Sequence, residues 1–123
     1  MVGLLPQPLS EEAFLNLLRD TFEAKGIRFT RKTGRNISRV AVCGGAGSFL
    51  LRDAIMAKAD AFVTADFKYH QFFDADGHLL LADIGHYESE QFTKDLIVGL
   101  LTKKFANFAV HLSKVNTNPV NYL

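Results

Sequence analysis

Residues 79–90 read LLLADIGHYESE, an apolar run closed by an Asp and a Gly and followed by acidic, helix-like sequence. The pattern predicts a buried β-strand over Leu79–Ala82 and then a helix that starts near His86. In such a helix His86 and Glu90 are four residues apart and share one face. Open α/β sheets place ligands at the carboxyl ends of their strands, so we predict that this imidazole and carboxylate bind one divalent cation. The alternative is purely structural, because acidic residues favour the first turn of any helix and a lone His can be half-buried.

Outward from this stretch, short apolar runs alternate with segments of helical periodicity. The predicted strands are 27–30, 40–43, 61–64, 79–82 and 108–112, and the predicted helices follow the N-cap Ser10 or cover 49–58 and 88–103. Residues 1–9, with two prolines, are expected to be an irregular lead-in, and Gly26 is expected to end the first helix. The alternation predicts a single α/β domain over residues 1–123, with three layers. A largely parallel sheet of four or five strands would carry helices on both faces.

Two other strand ends carry chemically interesting residues. Gly44, Gly45, Gly47 and Ser48 can cradle an anionic cofactor with backbone amides at a strand-to-helix turn. The segment lacks the Lys of a phosphate loop and the spacing of a dinucleotide fingerprint, so a tight structural turn is the alternative.

The segment from Thr64 to His70 offers a carboxylate and an imidazole. Asp66 and His70 can act as general acid and base, can orient a metal ligand, or can simply cap a helix. Because the carboxyl ends of parallel strands lie on one side of a sheet, all three segments are expected to converge on one site.

Composition narrows the class of protein. The chain has 14 basic and 13 acidic residues, so its net charge of +1 gives no electrostatic case for nucleic-acid binding. Cys43 is the only cysteine, which excludes an internal disulfide and fits a reducing compartment. No apolar run approaches the roughly 18 residues of a membrane span. We therefore expect a soluble, cytoplasmic domain without membrane contact.

Taken together, the segments resemble the carboxyl-terminal half of the Nif-three-like family, whose members are often named type-two GTP cyclohydrolase I. The matching segments are Gly44–Ser48, Ala59–His70, Asp83–Glu90 and Asn116–Tyr122. The resemblance implies an α/β protein that holds two divalent metal ions and assembles into rings, commonly hexamers. The family's His-x-x-x-Glu metal ligands fall on His86 and Glu90, where imidazole and carboxylate suit zinc, manganese or iron. Its Thr-Gly-Asp segment falls on Thr64–Asp66, with Ala65 in place of Gly.

The family's remaining ligands, an adjacent His-His pair and a further Asp, belong to an amino-terminal half, and this chain has no adjacent histidines. We therefore expect the carboxyl-terminal domain alone, with the missing amino-terminal half as a partner and an inactive isolated chain. The parent would be a homo-oligomeric metal-dependent hydrolase of a small molecule or nucleotide, in the manner of GTP cyclohydrolase. The alternative is a non-catalytic protein-interaction or metal-responsive regulatory module.

Overall fold

A computed structural model describes all 123 residues, which are arranged around a five-stranded sheet. The strands are β1 (Val2–Leu9), β2 (Arg28–Phe29), β3 (Ile37–Ala46), β4 (Ala61–Ala65) and β5 (Leu80–Asp83). The helices are α1 (Glu11–Phe22), α2 (Leu51–Met56), α3 (His86–Glu90) and α4 (Thr93–Lys104). Two short 3-10 helices cover Ser48–Leu50 and Tyr69–Ala75.

The sheet is parallel at its centre and antiparallel at its edges. Its strand order is β1-β3-β4-β5-β2, in which β3, β4 and β5 run parallel. At the edges, β1 pairs antiparallel with β3, and β2 pairs antiparallel with β5. Parallel neighbours need a crossover, which α2 supplies between β3 and β4 and the second 3-10 helix supplies between β4 and β5. The predicted α/β class is confirmed, and the parallel part of the sheet is its three central strands.

Apolar side chains cover both faces of the sheet. On one face, Phe14, Leu15 and Leu18 of α1 pack against β3, β4 and β5. On the other face, Leu51 and Ala54 of α2 pack with alternate residues of the same strands. All five residues of β4 are buried, as expected for a central strand covered on both sides. The predicted three-layer arrangement is confirmed.

The structure corrects the prediction for the first nine residues. They were expected to be irregular, but they form the edge strand β1. Proline lacks an N–H group, so Pro6 and Pro8 make the segment look like a loop, yet an edge strand tolerates proline on its unpaired side. The register with β3 shifts between Leu4 and Leu9, which is where both prolines lie.

The carboxyl end also departs from expectation. The predicted helix over 88–103 is two helices, α3 and α4, separated at Gln91 and Phe92. The predicted strand over 108–112 is wrong: no strand or helix follows Lys104, and the apolar Phe108 is exposed because no strand pairs with this segment. None of the helices is sufficiently long and apolar to cross a membrane.

A buried carboxylate fixes the basic turn between β2 and β3. Glu11, in the first turn of α1, is buried, and its carboxylate accepts hydrogen bonds from Thr33 N (2.6 Å), Thr33 Oγ1 (2.9 Å) and Gly34 N (3.0 Å). These bonds compensate the cost of removing the charge from water and attach the turn to the start of α1.

Candidate metal centre

The carboxyl ends of β3, β4 and β5 meet at one side of the sheet, as predicted. Gly45 N, near the end of β3, donates to Ser89 Oγ of α3 at 2.8 Å. Thr64 Oγ1, in β4, donates to Gly45 O at 3.0 Å. These bonds join the ends of β3 and β4 and hold α3 against the end of β3.

His86 lies at the centre of this junction, between two carboxylates. Its Nδ1 is 2.6 Å from Asp66 Oδ2, and its Nε2 is 3.3 Å from Glu90 Oε2, one turn further along α3. The predicted start of a helix at His86, with the two side chains on one face, is confirmed. The hydrogen bond to Asp66, helped by the charges of Asp66 and Glu90, raises the pKa of His86 above its usual value, although partial burial opposes the shift.

The two nitrogens of His86 therefore have different partners. When the imidazole is neutral, Nδ1–H donates to Asp66 and the lone pair of Nε2 faces Glu90. Carboxylates commonly hold metal-binding histidines in this way, because they fix the tautomer and the orientation of the ring. Asp66 is thus placed to orient His86, and its carboxylate lies on the opposite side of the ring from Glu90.

The spacing of the donor atoms tests whether a metal ion fits. Ligand bonds of roughly 2.1 Å at roughly 90° to 110° separate two donor atoms by roughly 3.0 to 3.4 Å. The 3.3 Å between His86 Nε2 and Glu90 Oε2 falls in that range. No group of three or more His, Cys, Asp or Glu side chains is arranged to hold a metal ion. The two donors therefore have the spacing of two ligands of one ion.

Asp66 reaches His86 from an unusual backbone conformation. Its φ of +61° lies in the left-handed region, which Asp tolerates better than most residues but rarely adopts. The preceding residue, Ala65, is fully buried in β4. The conformation turns the chain at the end of β4 and directs the carboxylate toward the imidazole, and such strain concentrates at functional sites.

The absence of a side chain at Gly45 leaves space for the side chains of His86 and Glu90. Its φ is +64°, and a Cβ added there would lie 2.6 Å from Glu90 Oε1 and 3.2 Å from His86 Nε2. A Cβ at Gly44 would instead meet Glu90 Cγ at an ordinary 3.6 Å. A Cβ at position 45 would therefore displace the Glu90 carboxylate from its present position.

An open cleft of about 1120 Å³ lies beside these residues. Asp66, His86 and Glu90 line it together with Arg28 of β2. The carboxyl-terminal segment also lines the cleft, through Ser113, Val115, Thr117, Asn118, Pro119, Val120 and Tyr122.

That segment is attached to α3 through a buried acid. Asn118 Nδ2 donates to Glu88 Oε1 at 3.3 Å, and Glu88 is buried. The Tyr122 ring lies 3.3 Å from the position of a Cβ on Gly26, so this glycine makes room for the ring and does not end α1, whose cap is Glu23. Burial, followed by the charge of Glu88, raises the pKa of the Tyr122 phenol.

The other predicted site residues lie at varying distances from the cleft. Gly44 and Gly45 belong to β3, which extends to Ala46, so the predicted turn begins later than expected. Ser48 Oγ accepts a hydrogen bond from Gln71, and Gly47 precedes the first 3-10 helix. None of the four lines the cleft, and their assignment as cofactor-binding residues stays a prediction.

His70 lies on the exposed surface of the second 3-10 helix and does not line the cleft. Its role as an acid or base stays a prediction. Sequence reasoning missed Ser89, Arg28 and Asn118, each of which bonds across the chain to a residue at least 30 positions away. Local patterns carry no signal for such contacts.

Comparison with known proteins identifies the family. The sequence profile of Duf34/NIF3 (NGG1p interacting factor 3) matches residues 1–119. The chain belongs to the Duf34/NIF3 family.

Curated relatives of this Duf34/NIF3 chain are longer proteins. It is 34% identical over 117 residues to a GTP cyclohydrolase 1 type 2 homolog of Staphylococcus aureus (strain MSSA476), an alignment covering 91% of the chain and 32% of that protein. A Staphylococcus epidermidis protein of the same name is 33% identical over 127 residues, covering 99% of the chain and 34% of its own length. The chain thus spans about a third of the length of these relatives.

Solved structures agree with the family assignment. The chain superposes on the crystal structure of a Staphylococcus aureus protein with a TM-score of 0.84 and 28% identity, covering 99% of this chain and 41% of that one. A Bacillus cereus protein related to NIF3 gives a TM-score of 0.81 and 27% identity, covering 99% and 35%. The chain therefore has the fold of part of these longer proteins, over 99% of its own length.

Proposed function

We propose that this chain contributes half of a divalent-metal site through His86 and Glu90. One observation carries the proposal: Nε2 of His86 and Oε2 of Glu90 are 3.3 Å apart while Asp66 holds the other ring nitrogen. A structural ion pair needs no third group to orient the imidazole, whereas a metal-binding His commonly has one. The donors suit zinc, manganese or iron, and we propose two such ions in the whole protein.

The reaction proposed for the whole protein is hydrolysis of a small molecule or nucleotide, similar to that in the names of the relatives. A divalent ion bound in such a site would act as a Lewis acid and would lower the pKa of a water molecule bound to it. Within this chain, Glu90 offers a carboxylate, His86 offers a neutral imidazole, and Asp66 keeps that imidazole in the required tautomer. The remaining ligands of a complete site are proposed to come from an amino-terminal half of the same protein, which would be this chain's partner.

Zinc titration tests the half-site. Isothermal titration calorimetry is performed near neutral pH on the wild-type chain, His86→Ala and Glu90→Gln, with His70→Ala as the control because His70 is exposed and outside the cleft. We expect weak binding to the wild type, at least about tenfold weaker binding to both site variants, and no change for the control. Equal affinities for wild type and His86→Ala would contradict the proposal.

We also propose that the chain alone does not hydrolyse GTP at a useful rate, because paired-metal catalysis requires both ions at a fixed spacing. GTP consumption is measured by chromatography in the presence of added zinc or manganese. Turnover at ordinary enzyme rates that is unaffected by His86→Ala would contradict both this expectation and the site.

The second candidate function is a non-catalytic interaction or metal-responsive module. The family description itself names an interacting factor. One structural observation also favours it: no residue of α4 is buried, and Leu96, Ile97 and Leu100 are 64%, 50% and 59% exposed. Apolar rows of this kind usually contact other protein, and we propose another copy in a homo-oligomer as the contact.

Metal-dependent turnover by a full-length relative would separate the two candidates. Loss of that turnover when the residue aligned with His86 is changed would support the hydrolase. A full-length relative that binds metal without any turnover would favour the module.

A further inference from the structure

We propose that Arg28 binds an oxyanion, a phosphate or a carboxylate, carried by the small molecule that occupies the cleft beside His86 and Glu90. This inference names a ligand class for the proposed site and rests on that proposed function. It assigns a role to a residue outside the matched segments from which the site was first predicted.

The guanidinium of Arg28 is held in one position although it is exposed. Its Nη2 donates to Phe67 O at 3.0 Å and forms an ion pair with Asp83, and the group lies 5.4 Å from the centre of the Phe72 ring. The side chain is nevertheless 60% exposed and lines the cleft. A cation fixed in an open cleft has paid its ordering cost before a ligand arrives.

The donors of this guanidinium are only partly used. Both protein hydrogen bonds come from Nη2, so the N–H groups of Nε and Nη1 have no protein partner. These donors suit an oxyanion, because charge-assisted bonds from Arg to phosphate or carboxylate oxygens are among the strongest in proteins. An Arg whose role was only to neutralise Asp83 would not need unpaired N–H groups in the cleft.

The position of Arg28 connects it to the candidate metal centre. Its carbonyl partner belongs to Phe67, which follows Asp66, and its carboxylate partner Asp83 also accepts from Gly85 N at 3.1 Å, next to His86. Asp83 is buried and Asp66 is bonded to His86, so neither carboxylate competes freely for the unused N–H groups. Arg28 lines the same cleft as His86 and Glu90, so a molecule bound in that cleft can contact all three residues.

The test uses metal-free protein, inorganic phosphate in one arm and acetate in the other. The Nε–H resonance of Arg28 is followed by ¹⁵N NMR in the wild type and in Lys94→Gln, which removes a second cation of the cleft, and backbone amides are followed in these two proteins and in Arg28→Gln. We expect a saturable shift of the wild-type resonance with at least one anion. Dissociation constants, taken from backbone amides of the cleft, should rise at least about tenfold in Arg28→Gln and less than about twofold in Lys94→Gln. The arm with the tighter binding identifies phosphate or carboxylate.

Two results would overturn the proposal: no saturable shift with either anion, or equal affinities in Arg28→Gln and wild type. Asp83 keeps two backbone donors, Phe67 N and Gly85 N, in the variant, which favours folding. If Arg28→Gln does not fold, the Nε–H resonance of the wild type still shows whether Arg28 binds the anion. Arg28→Lys then serves as the second variant and is expected to bind the anion more weakly than the wild type. The titration contains no metal ion, so its outcome does not depend on zinc binding, and failure of the metal proposal and failure of this one are distinguishable.

Discussion

Replacing Gly45 with Ala should damage the candidate metal centre much more than it damages the fold. The φ of +64° imposes a cost of about 1–2 kcal/mol on a residue with a Cβ. The new Cβ would lie 2.6 Å from Glu90 Oε1, but that side chain is half exposed and can swing into solvent. We therefore expect a loss of stability of about 1–2 kcal/mol and a displaced Glu90, with zinc affinity lower by at least about tenfold.

Two other glycines separate these effects. Gly34 has a φ of +77° with no atom within 4 Å of an added Cβ, so Gly34→Ala should cost similar stability and leave zinc binding unchanged. Gly44→Ala adds a Cβ at an ordinary distance in the same strand and should change neither property. Urea unfolding gives the free energy of unfolding for each variant, and calorimetry gives the zinc affinity. If Gly45→Ala bound zinc as tightly as Gly34→Ala does, the inferred contact between Gly45 and the pair would be refuted.

Three further predictions concern other parts of the molecule. Nε2 of His86 must lose its proton to bind metal, and Asp66 raises the pKa of His86, so zinc affinity should fall as pH decreases through that raised pKa. Asp66→Asn should move the midpoint of this pH dependence to lower pH. An unmoved midpoint, measured by calorimetry at a series of pH values, would contradict the expectation. Glu11→Gln should lower the free energy of unfolding by about 2 kcal/mol, because it removes the buried charge that accepts the hydrogen bonds of the basic turn and sets an amide NH₂ in place of one acceptor oxygen. Glu12→Gln, at an exposed ion pair, should change the free energy of unfolding little; urea unfolding measures both variants. Replacing both Leu96 and Leu100 with Asp should abolish any concentration-dependent self-association in sedimentation velocity without lowering stability, because neither side chain is buried.

The sequence alone predicted the centre of the fold better than its edges. The apolar runs of β3, β4 and β5 and the N-cap at Ser10 are local signals, and the structure contains each of those elements. β1 was missed because the prolines that interrupt its sequence are tolerated at an edge, where half of the backbone groups need no partner. A last strand near Phe108 was wrong because an apolar run cannot form a strand without a neighbour to pair with.

The candidate site shows the same division. The i, i+4 spacing of His86 and Glu90 is a helical property that can be read directly, and the convergence with Asp66 followed from the parallel arrangement of the strands. The bond from Gly45 to Ser89 and the anchoring of Arg28 by Asp83 depend on tertiary contacts between distant segments. No local pattern encodes those contacts, so they could be found only in the structure.

Anomalous diffraction at the zinc edge, from crystals of this chain soaked in zinc chloride, tests the proposed metal centre most directly. We expect a peak bonded to both His86 Nε2 and Glu90 Oε2 at roughly 2.0 to 2.2 Å, with Nδ1 still bonded to Asp66. Zinc ordered elsewhere on the chain, with the His86 and Glu90 side chains free of it, would contradict the proposal.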